Sequence, residues 1–397
     1  MKSLRIFCAA TLSAIVFLAV YAQAADKEKI IYQFVRASGG RGPAGGLYQD
    51  QSGNLFGLTD SALFYELSPN GSGGWNYSAL AASDCYFPPG PLVRDQAGNF
   101  YNASNNGGSV CEFSPNGSGG WSSSVIYTFS DGPSGLLIDA AGYLYGIEGN
   151  GVNGFGYVFE LSPTSGGAWS LTDLYDFTGT DGNASSGVSA GLIMDASGNL
   201  YGVTWAGGSG TTCTLMCGVV FELTNNSGVW TEAVLHNFNG TDGINPAAPL
   251  LMDNAGNLYG TTTTGGASGV GTVFEISAPS AEFRVIHSFT NQSGDGAYPS
   301  TALIIDAAGN LYGTTEIGGL RGDCSVGSIQ GGCGTAFELS PVGNRWKESL
   351  LHDFGGIGDG TSPSAFVLGA NGALYGVSPA GGSNVAPDAG MVFEIVP

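Results

Sequence analysis

Six side chains depart from an otherwise repetitive, glycine-rich sequence, and their types could make contacts with a ligand. They are one tryptophan, one arginine and four acids, namely Asp60, Glu148, Trp205, Glu316, Arg321 and Asp323. An indole ring can stack on the apolar face of a sugar, and carboxylates can accept hydrogen bonds from hydroxyl groups or bind a hard cation. We therefore predict that these residues form a ligand-binding site that needs no cofactor, with calcium as an alternative.

The same sequence offers few residues that could act as catalytic groups. The histidines His236, His287 and His352 share one position of a repeated unit at which other units have tyrosine, so ring packing explains them better than proton transfer. Residues 187–191 match the G-x-S-x-G pattern of hydrolases, but no helical segment follows them. We predict no catalytic residue and no metal ligand. An enzyme is the alternative, because Glu148 and Glu316 would form an acid–base pair if they converged.

A tandem repeat must position these candidates. An eight-residue phrase, Asp-x-x-Gly-Asn-Leu-Tyr-Gly or a close variant, occurs six times, and a seventh copy lacks the Asp. The copies begin at Asp50, Asp95, Asp139, Asp195, Asp253, Asp306 and Gly369. Their spacing of 44 to 63 residues suits a unit of four short strands.

Each repeat unit carries the signals of four strands. An apolar run ends at the Asp, Gly-Asn makes a tight turn, and a Leu-Tyr-Gly-x-Thr strand follows. A glycine-rich loop then leads to a third strand such as 271–276. A second turn leads to an alternating fourth strand such as 230–238. Seven such units predict an all-β fold, a seven-bladed β-propeller of four-stranded blades.

The two ends of the chain predict how the ring closes. Residues 30–35 match a fourth strand, whereas the last strand, 390–396, matches a third strand. We therefore predict that the N-terminal strand pairs in the last blade, so that residues 25–397 form a single propeller domain. A linear solenoid is the alternative.

The loops of the predicted blades differ between the two faces of the ring. Loops after the second and fourth strands share one face, and they include the long insertions near residues 205–217 and 316–333. The opposite face carries uniform Gly-Asn and Ser-Pro-x-Gly turns. Because binding residues concentrate in loops on a rigid scaffold, we place the candidate site on the first of these faces, the variable face.

The N-terminal segment predicts export. Residues 1–24 combine Lys2 and Arg5, an apolar run and a small-residue cleavage site, so they read as a signal peptide. Its removal leaves nine Lys and Arg against 32 Asp and Glu, a net charge of −23. Such a surface excludes nucleic acid and anionic lipid as partners. We expect a secreted or cell-surface monomer with no membrane span in its mature form.

Six cysteines remain after the predicted cleavage. An even number in an exported chain predicts disulfides. The close spacings favour Cys85 with Cys111, Cys213 with Cys217 and Cys324 with Cys333, although about fifteen pairings are formally open. Zinc ligation by the close pairs is the competing interpretation, but no histidine lies near them in sequence.

Two segments, "LYGTTTTGGASGVGTVFEI" and "LYGTTEIGG…CGTAFELSP", resemble the GloVer tandem repeat of exported bacterial proteins. The resemblance extends over nearly all of residues 30–397, and the first three units depart from it most clearly at Asn102, Cys111 and residues 61–62. It implies export and a propeller-like repeat, and it implies no activity. The sequence thus predicts a binding or interaction module for a glycan or an extracellular protein. The alternative is a propeller lyase, lactonase or glycan-cleaving enzyme.

Overall fold

The computed structural model describes residues 28–35, 42–83, 90–104, 108–185, 191–209, 217–321, 324–326, 329–355, 358–381 and 390–397. In these ranges every regular element is a β-strand, and the strands form seven four-stranded antiparallel sheets arranged as a seven-bladed propeller. The predicted signal peptide, Asp323, Cys85 and Cys213 lie outside the described residues. None of the described residues belongs to a helix of the length and apolarity that a membrane span requires.

The strands are numbered β1 to β34 along the chain. Blade 1 contains β2 (Pro43–Gln49), β3 (Leu55–Thr59), β4 (Leu63–Pro69) and β5 (Trp75–Ala82), and blade 2 contains β6 (Val93–Arg94), β7 (Phe100–Ala103), β8 (Ser109–Pro115) and β9 (Trp121–Thr128). Blade 3 contains β10 (Ser134–Ile138), β11 (Leu144–Glu148), β12 (Tyr157–Pro163) and β13 (Trp169–Asp176). Blade 4 contains β14 (Ile193–Met194), β15 (Leu200–Thr204), β16 (Val219–Asn226) and β17 (Val229–Asn237).

The other three blades follow the same pattern. Blade 5 contains β18 (Leu251–Met252), β19 (Leu258–Thr262), β20 (Thr272–Ser277) and β21 (Glu282–Ser288). Blade 6 contains β23 (Ile304–Ile305), β24 (Leu311–Thr315), β28 (Thr335–Val342) and β29 (Arg345–Asp353). Blade 7 contains β31 (Val367–Leu368), β32 (Leu374–Ser378), β34 (Met391–Ile395) and β1 (Glu28–Gln33). Short two-stranded sheets join β22 (Gly296–Ala297) to β25 (Ile317–Gly318), β26 (Cys324–Val326) to β27 (Ile329–Gly331), and β30 (Gly360–Thr361) to β33 (Ala380–Gly381).

The N-terminal strand closes the ring, as predicted. Strand β1 pairs antiparallel with β34, with Glu28 opposite Ile395 and Gln33 opposite Met391. The strand begins two residues earlier than the sequence indicated. Blade 7 is therefore built from both ends of the chain, which leaves no blade with an unpaired fourth position.

The repeated Asp holds the turn between the first and second strands. In blade 5, Asp253 Oδ1 accepts hydrogen bonds from the backbone N–H groups of Ala255 and Asn257, each at 2.9 Å, and Oδ2 accepts one from Asn257 Nδ2 at 2.8 Å. Gly256 has a φ of +85°, which a glycine adopts without strain. The phrase therefore specifies a turn and carries no chemistry of its own.

The core lies between the blades. The Phe that follows each of four fourth strands packs edge-to-face on the third-strand Phe of the next blade, with ring centroids 5.1 to 5.3 Å apart. The pairs are Phe177–Phe221, Phe238–Phe274, Phe289–Phe337 and Phe354–Phe393. The motif glycine makes room for them: a Cβ on Gly260 would lie 2.4 Å from the Phe274 ring. Each blade is thus fixed by its neighbour.

A disulfide reinforces the long blade 6 loop of the variable face. Cys324 and Cys333 are bonded, as predicted, and join β26 to the end of the blade 6 insertion. Cys111 and Cys217 are also disulfide-bonded, and their predicted partners lie outside the described residues. The bonded pair in blade 6 excludes zinc ligation by those two thiols.

Candidate functional site

A central channel runs between the first strands of the propeller blades. Its cavity of about 490 Å³ is lined by all seven blades at or just before their first strands, so the first strands face the axis. The residues that line it are glycine, alanine, proline, serine, threonine and apolar side chains, with no charged group among those described. Leu47, Leu136, Leu192 and Phe366 supply its apolar wall.

Glycines let neighbouring blades approach closely at the axis. Gly135 has a φ of +34°, and a Cβ there would lie 3.1 Å from the Cα of Gly191 in the next blade. Any larger residue would push these blades apart or block the channel. The width of the channel is therefore set by backbone contact.

A rim of six residues lies in loops of the variable face, from blade 4 to blade 7, and three of the six stand two residues before residues that line the channel. Three of them follow second strands, and three precede the proline that leads into a first strand. They are Trp205, Thr263 and Glu316, and Asn245, Tyr298 and Ser362. All six are half-buried. We use the word rim for this set below.

Hydrogen bonds join five of the rim residues into two groups, one of three residues and one of two. Asn245 Nδ2 donates to the Trp205 carbonyl at 2.8 Å, and its own carbonyl accepts from the Thr263 N–H at 3.1 Å. The Tyr298 carbonyl accepts from the Glu316 N–H, also at 3.1 Å. Within each group, a loop that follows a second strand is therefore held to a loop that leads into a first strand.

Three rim residues have a left-handed backbone. The φ angles of Asn245, Tyr298 and Ser362 are +58°, +58° and +51°. This conformation is uncommon for residues other than glycine and marks local strain, which is concentrated at binding sites in many proteins. Sequence reasoning missed these residues, although each occupies the third position of a Gly-x-x-Pro segment in the loop between two blades.

Burial changes the electrostatics of the rim. Desolvation raises the pKa of the Glu316 carboxyl. Desolvation also raises the pKa of Tyr298, and the nearby Glu316 charge adds to this effect. Thr263 Oγ1 is buried without a hydrogen-bond partner. The rim therefore offers two aromatic rings and several polar groups, one of which is unsatisfied.

The other predicted site residues are placed differently. Glu148 is only 1% exposed, and it accepts hydrogen bonds from the Asp131 N–H, the Ser130 hydroxyl and the Asn150 N–H. Arg321 lies in the blade 6 insertion, where its N–H donates to Asp353 at the end of the fourth strand. Asp60 occupies the position of Trp205 in blade 1 and is half-buried. Of the predicted residues that the structure describes, Trp205 and Glu316 belong to the rim.

The histidines lie away from the channel, at the seams where fourth strands of neighbouring blades meet. His236 stacks on Phe283 with ring centroids 3.6 Å apart, so the predicted packing role is confirmed there. His287 and His352 pack edge-on against Phe289 and Phe354. These two also belong to His–Asp–Glu groups whose donor atoms lie within 4.8 Å of one another. Sequence analysis did not anticipate these groups.

Comparisons with known proteins agree with this architecture. A family model described as the Gloeobacter/Verrucomicrobia repeat matches residues 88–326. Virginiamycin B lyase from Staphylococcus aureus aligns over 93% of this chain and 99% of its own at 13% identity, with a TM-score of 0.57. A protein from Lactobacillus plantarum aligns over 82% and 88% at 15% identity, with a TM-score of 0.55.

A third structure, YCF48 from Cyanidioschyzon merolae, aligns over 93% of this chain and 99% of its own at 10% identity, with a TM-score of 0.54. A search of curated protein sequences found no match. At these identities the structural likeness establishes the propeller fold and carries no activity with it.

Proposed function

The chain belongs to the Gloeobacter/Verrucomicrobia repeat family, and we propose that it is an exported binding module that holds a neutral, hydroxyl-rich ligand, a segment of glycan, at the channel mouth. The rim makes the polar and stacking contacts, and the channel accepts the buried end of the ligand. No reaction is part of this proposal.

One observation carries the proposal: the described lining of the channel carries no charge, and the loops that lead into it hold aromatic and polar side chains. Ligand sites are typically concave and mostly apolar, with a few polar groups that fix orientation. Trp205 and Tyr298 can stack on sugar rings, while Asn245, Thr263 and Ser362 can exchange hydrogen bonds with hydroxyl groups. A charged ligand would find no countercharge along the described lining.

The placement of the acids favours binding over catalysis. Acid–base cleavage of a glycosidic bond needs two carboxyl groups that flank one bond. Hydrogen bonds from the surrounding loop hold both Glu148 oxygens, so this residue is engaged as a loop anchor. Glu316 is then the one carboxyl group of the rim, and it serves here as a hydrogen-bond partner.

Export is part of the proposal and rests on two features of the chain. The N-terminal residues have the order of a signal peptide, and a disulfide joins Cys324 to Cys333 in a loop of the variable face. Disulfides persist in oxidising compartments. Glycans outside the cell are the ligand class that such a protein would meet, while an extracellular protein partner is the outcome to be tested against it.

The proposal can be tested with the purified protein on an array of plant and microbial glycans, followed by isothermal titration with the best binder. Trp205→Ala and Tyr298→Ala should each weaken binding at least about tenfold, the usual effect of removing a stacking ring of roughly 1.4 kcal/mol or more. Tyr143→Ala is the matched control, because Tyr143 is 36% exposed on a turn of the opposite face.

Two results would contradict the proposal. One is a glycan that binds the two rim variants and the wild type with equal affinity. The other is that no glycan binds, while a protein partner is captured whose affinity depends on Trp205. In that case the ligand of the proposed site would be a protein and not a glycan.

A further inference from the structure

The seams between blades repeat one arrangement with changing residues. A fourth-strand residue of one blade meets a fourth-strand residue of the next blade, and an Asp from the connecting loop stands beside them. A seam is named by the two blades that it joins. The set is Tyr175, Glu232 and Asp181 at seam 3/4, and His236, Phe283 and Asp242 at seam 4/5. It is His287, Glu348 and Asp295 at seam 5/6, and His352, Glu28 and Asp359 at seam 6/7.

The set at seam 6/7 is compact and buried. His352 Nε2 lies 3.0 Å from Asp359 Oδ2 and 3.5 Å from Glu28 Oε2. The side chains of His352, Asp359 and Glu28 are 3%, 7% and 9% exposed. One nitrogen and two carboxylate oxygens from three separate elements therefore converge on one point.

These separations match the edges of a metal coordination sphere. Zinc binds histidine nitrogen and carboxylate oxygen at about 2.0–2.2 Å in a tetrahedral arrangement, so its ligand atoms are roughly 3.3–3.6 Å apart. The two distances at His352 Nε2 fall at or just below this range. Small rotations of the side chains would complete three ligands and leave a fourth position for water.

The charge of the set also favours a cation. Two carboxyl groups in a buried site repel each other, and a single imidazole compensates for at most one of them. A divalent cation would neutralise both acids at once.

Seam 5/6 carries a wider copy of the same set. His287 Nε2 lies 3.7 Å from Asp295 Oδ1 and 4.0 Å from Glu348 Oε2. This nitrogen is itself buried and makes no hydrogen bond. A buried nitrogen without a hydrogen bond is costly, and here it faces two carboxylate oxygens at distances that a bound cation could bridge.

The donor set selects the class of metal. Calcium and magnesium prefer oxygen ligands, whereas imidazole nitrogen with carboxylate oxygen suits zinc and other first-row divalent ions. Seam 4/5 has Phe283 at the place of the glutamate, and seam 3/4 has Tyr175 at the place of the histidine. These two seams lack one ligand each, so they serve as internal comparisons.

We propose that the His–Asp–Glu sets at seams 6/7 and 5/6 bind zinc or a similar divalent ion, and that the ion at seam 6/7 locks the ring. Glu28 belongs to β1, the N-terminal strand that completes blade 7, while His352 belongs to blade 6. Metal bound between them ties the closing strand to the neighbouring blade. This inference is independent of the glycan site at the channel mouth.

The test uses purified protein, stripped with EDTA, dialysed and titrated with zinc chloride alone. Wild type should bind two ions per chain, and His352→Tyr and His287→Tyr should each lose one. Tyrosine occupies this position in other blades, so the substitution preserves the packing. Glu282→Gln, at an exposed position of β21, is the matched control and should keep both ions.

The locking role has its own readout, amide hydrogen exchange of residues 28–33. Zinc should slow exchange there at least tenfold in wild type and in His287→Tyr, and should have no effect in His352→Tyr. Absence of saturable zinc binding, or a stoichiometry that neither histidine variant changes, would overturn the proposal. One ion that only His352→Tyr removes would support seam 6/7 and overturn seam 5/6.

Discussion

Replacing Glu232 with Gln is expected to flatten the pH dependence of stability between pH 5 and 8. At seam 3/4 two acids stand together, and their hydrogen bonding differs. Asp181 accepts hydrogen bonds from the Tyr175 hydroxyl and from the N–H and hydroxyl of Thr178. Glu232 Oε1 is buried and accepts none. The proton of the pair therefore resides on Glu232.

The size and sign of the effect follow from this assignment. Desolvation, with a further contribution from the Asp181 charge, raises the pKa of Glu232 from 4.5 to about 7. The folded state then binds a proton that the unfolded state has released, so stability falls as the pH rises from about 4.5 to 7. A shift of about 2.5 units corresponds to at most about 3.4 kcal/mol. Because Glu232 is only half-buried, screening reduces this to about 1–2 kcal/mol.

The assay is urea unfolding of wild type and Glu232→Gln at pH 5, 6, 7 and 8. Gln has the shape of the protonated acid, so the two proteins should be equally stable at pH 5. The variant should be more stable than wild type by about 1–2 kcal/mol at pH 8. Glu282→Gln, at an exposed site, should run parallel to wild type. Parallel curves for Glu232→Gln would refute the assignment of the proton.

Three further changes test other parts of the molecule. Tyr175→His should complete a third His–Asp–Glu set and raise the zinc stoichiometry by one in isothermal titration; an unchanged value would contradict the donor-set argument. The double variant Cys324→Ser/Cys333→Ser should lose about 2–3 kcal/mol of unfolding free energy, the chain entropy of a loop of about ten residues, and an unchanged urea midpoint would contradict this. Gly135→Ala should cost about 1–3 kcal/mol in the same assay, because its φ is +34° and the added Cβ would press on Gly191; a neutral effect would show that the blades at the axis can separate freely.

The fold was predictable because the same turn and strand signals recur in seven repeat units. Asp253 and Gly256 specify their turn through their own hydrogen bonds and backbone angles. The positions of these residues in the sequence therefore predict where the first strand of a blade ends and the second begins. Ring closure was equally predictable, since a spare fourth strand at one end can only fill a missing fourth strand at the other. Both inferences depend on contacts within one repeat or between identical repeats.

The site was predictable only in part, because it depends on contacts between unlike loops. Trp205 and Glu316 stood out as departures from the repeat, and both belong to the rim. Asn245 and Tyr298 did not stand out, since a residue before proline in a loop carries no sign of its left-handed backbone. Glu148 was also a departure, but its hydrogen bonds to the loop at Asp131 could not be inferred from spacing.

The histidines show why a repeated position is a poor reason to dismiss a residue. At a seam the chemistry belongs to a pair of residues from two blades, and the partner changes while the position stays the same. His236 meets Phe283 and is a packing ring, whereas His352 meets Glu28 and forms part of a buried His–Asp–Glu set. In the proposed metal sites, both the histidine and the glutamate are needed beside the loop aspartate, because seam 4/5 lacks the glutamate and seam 3/4 lacks the histidine. Glu28 and Glu348 complete such sets because each stands opposite a histidine, whereas Glu232 stands opposite Tyr175.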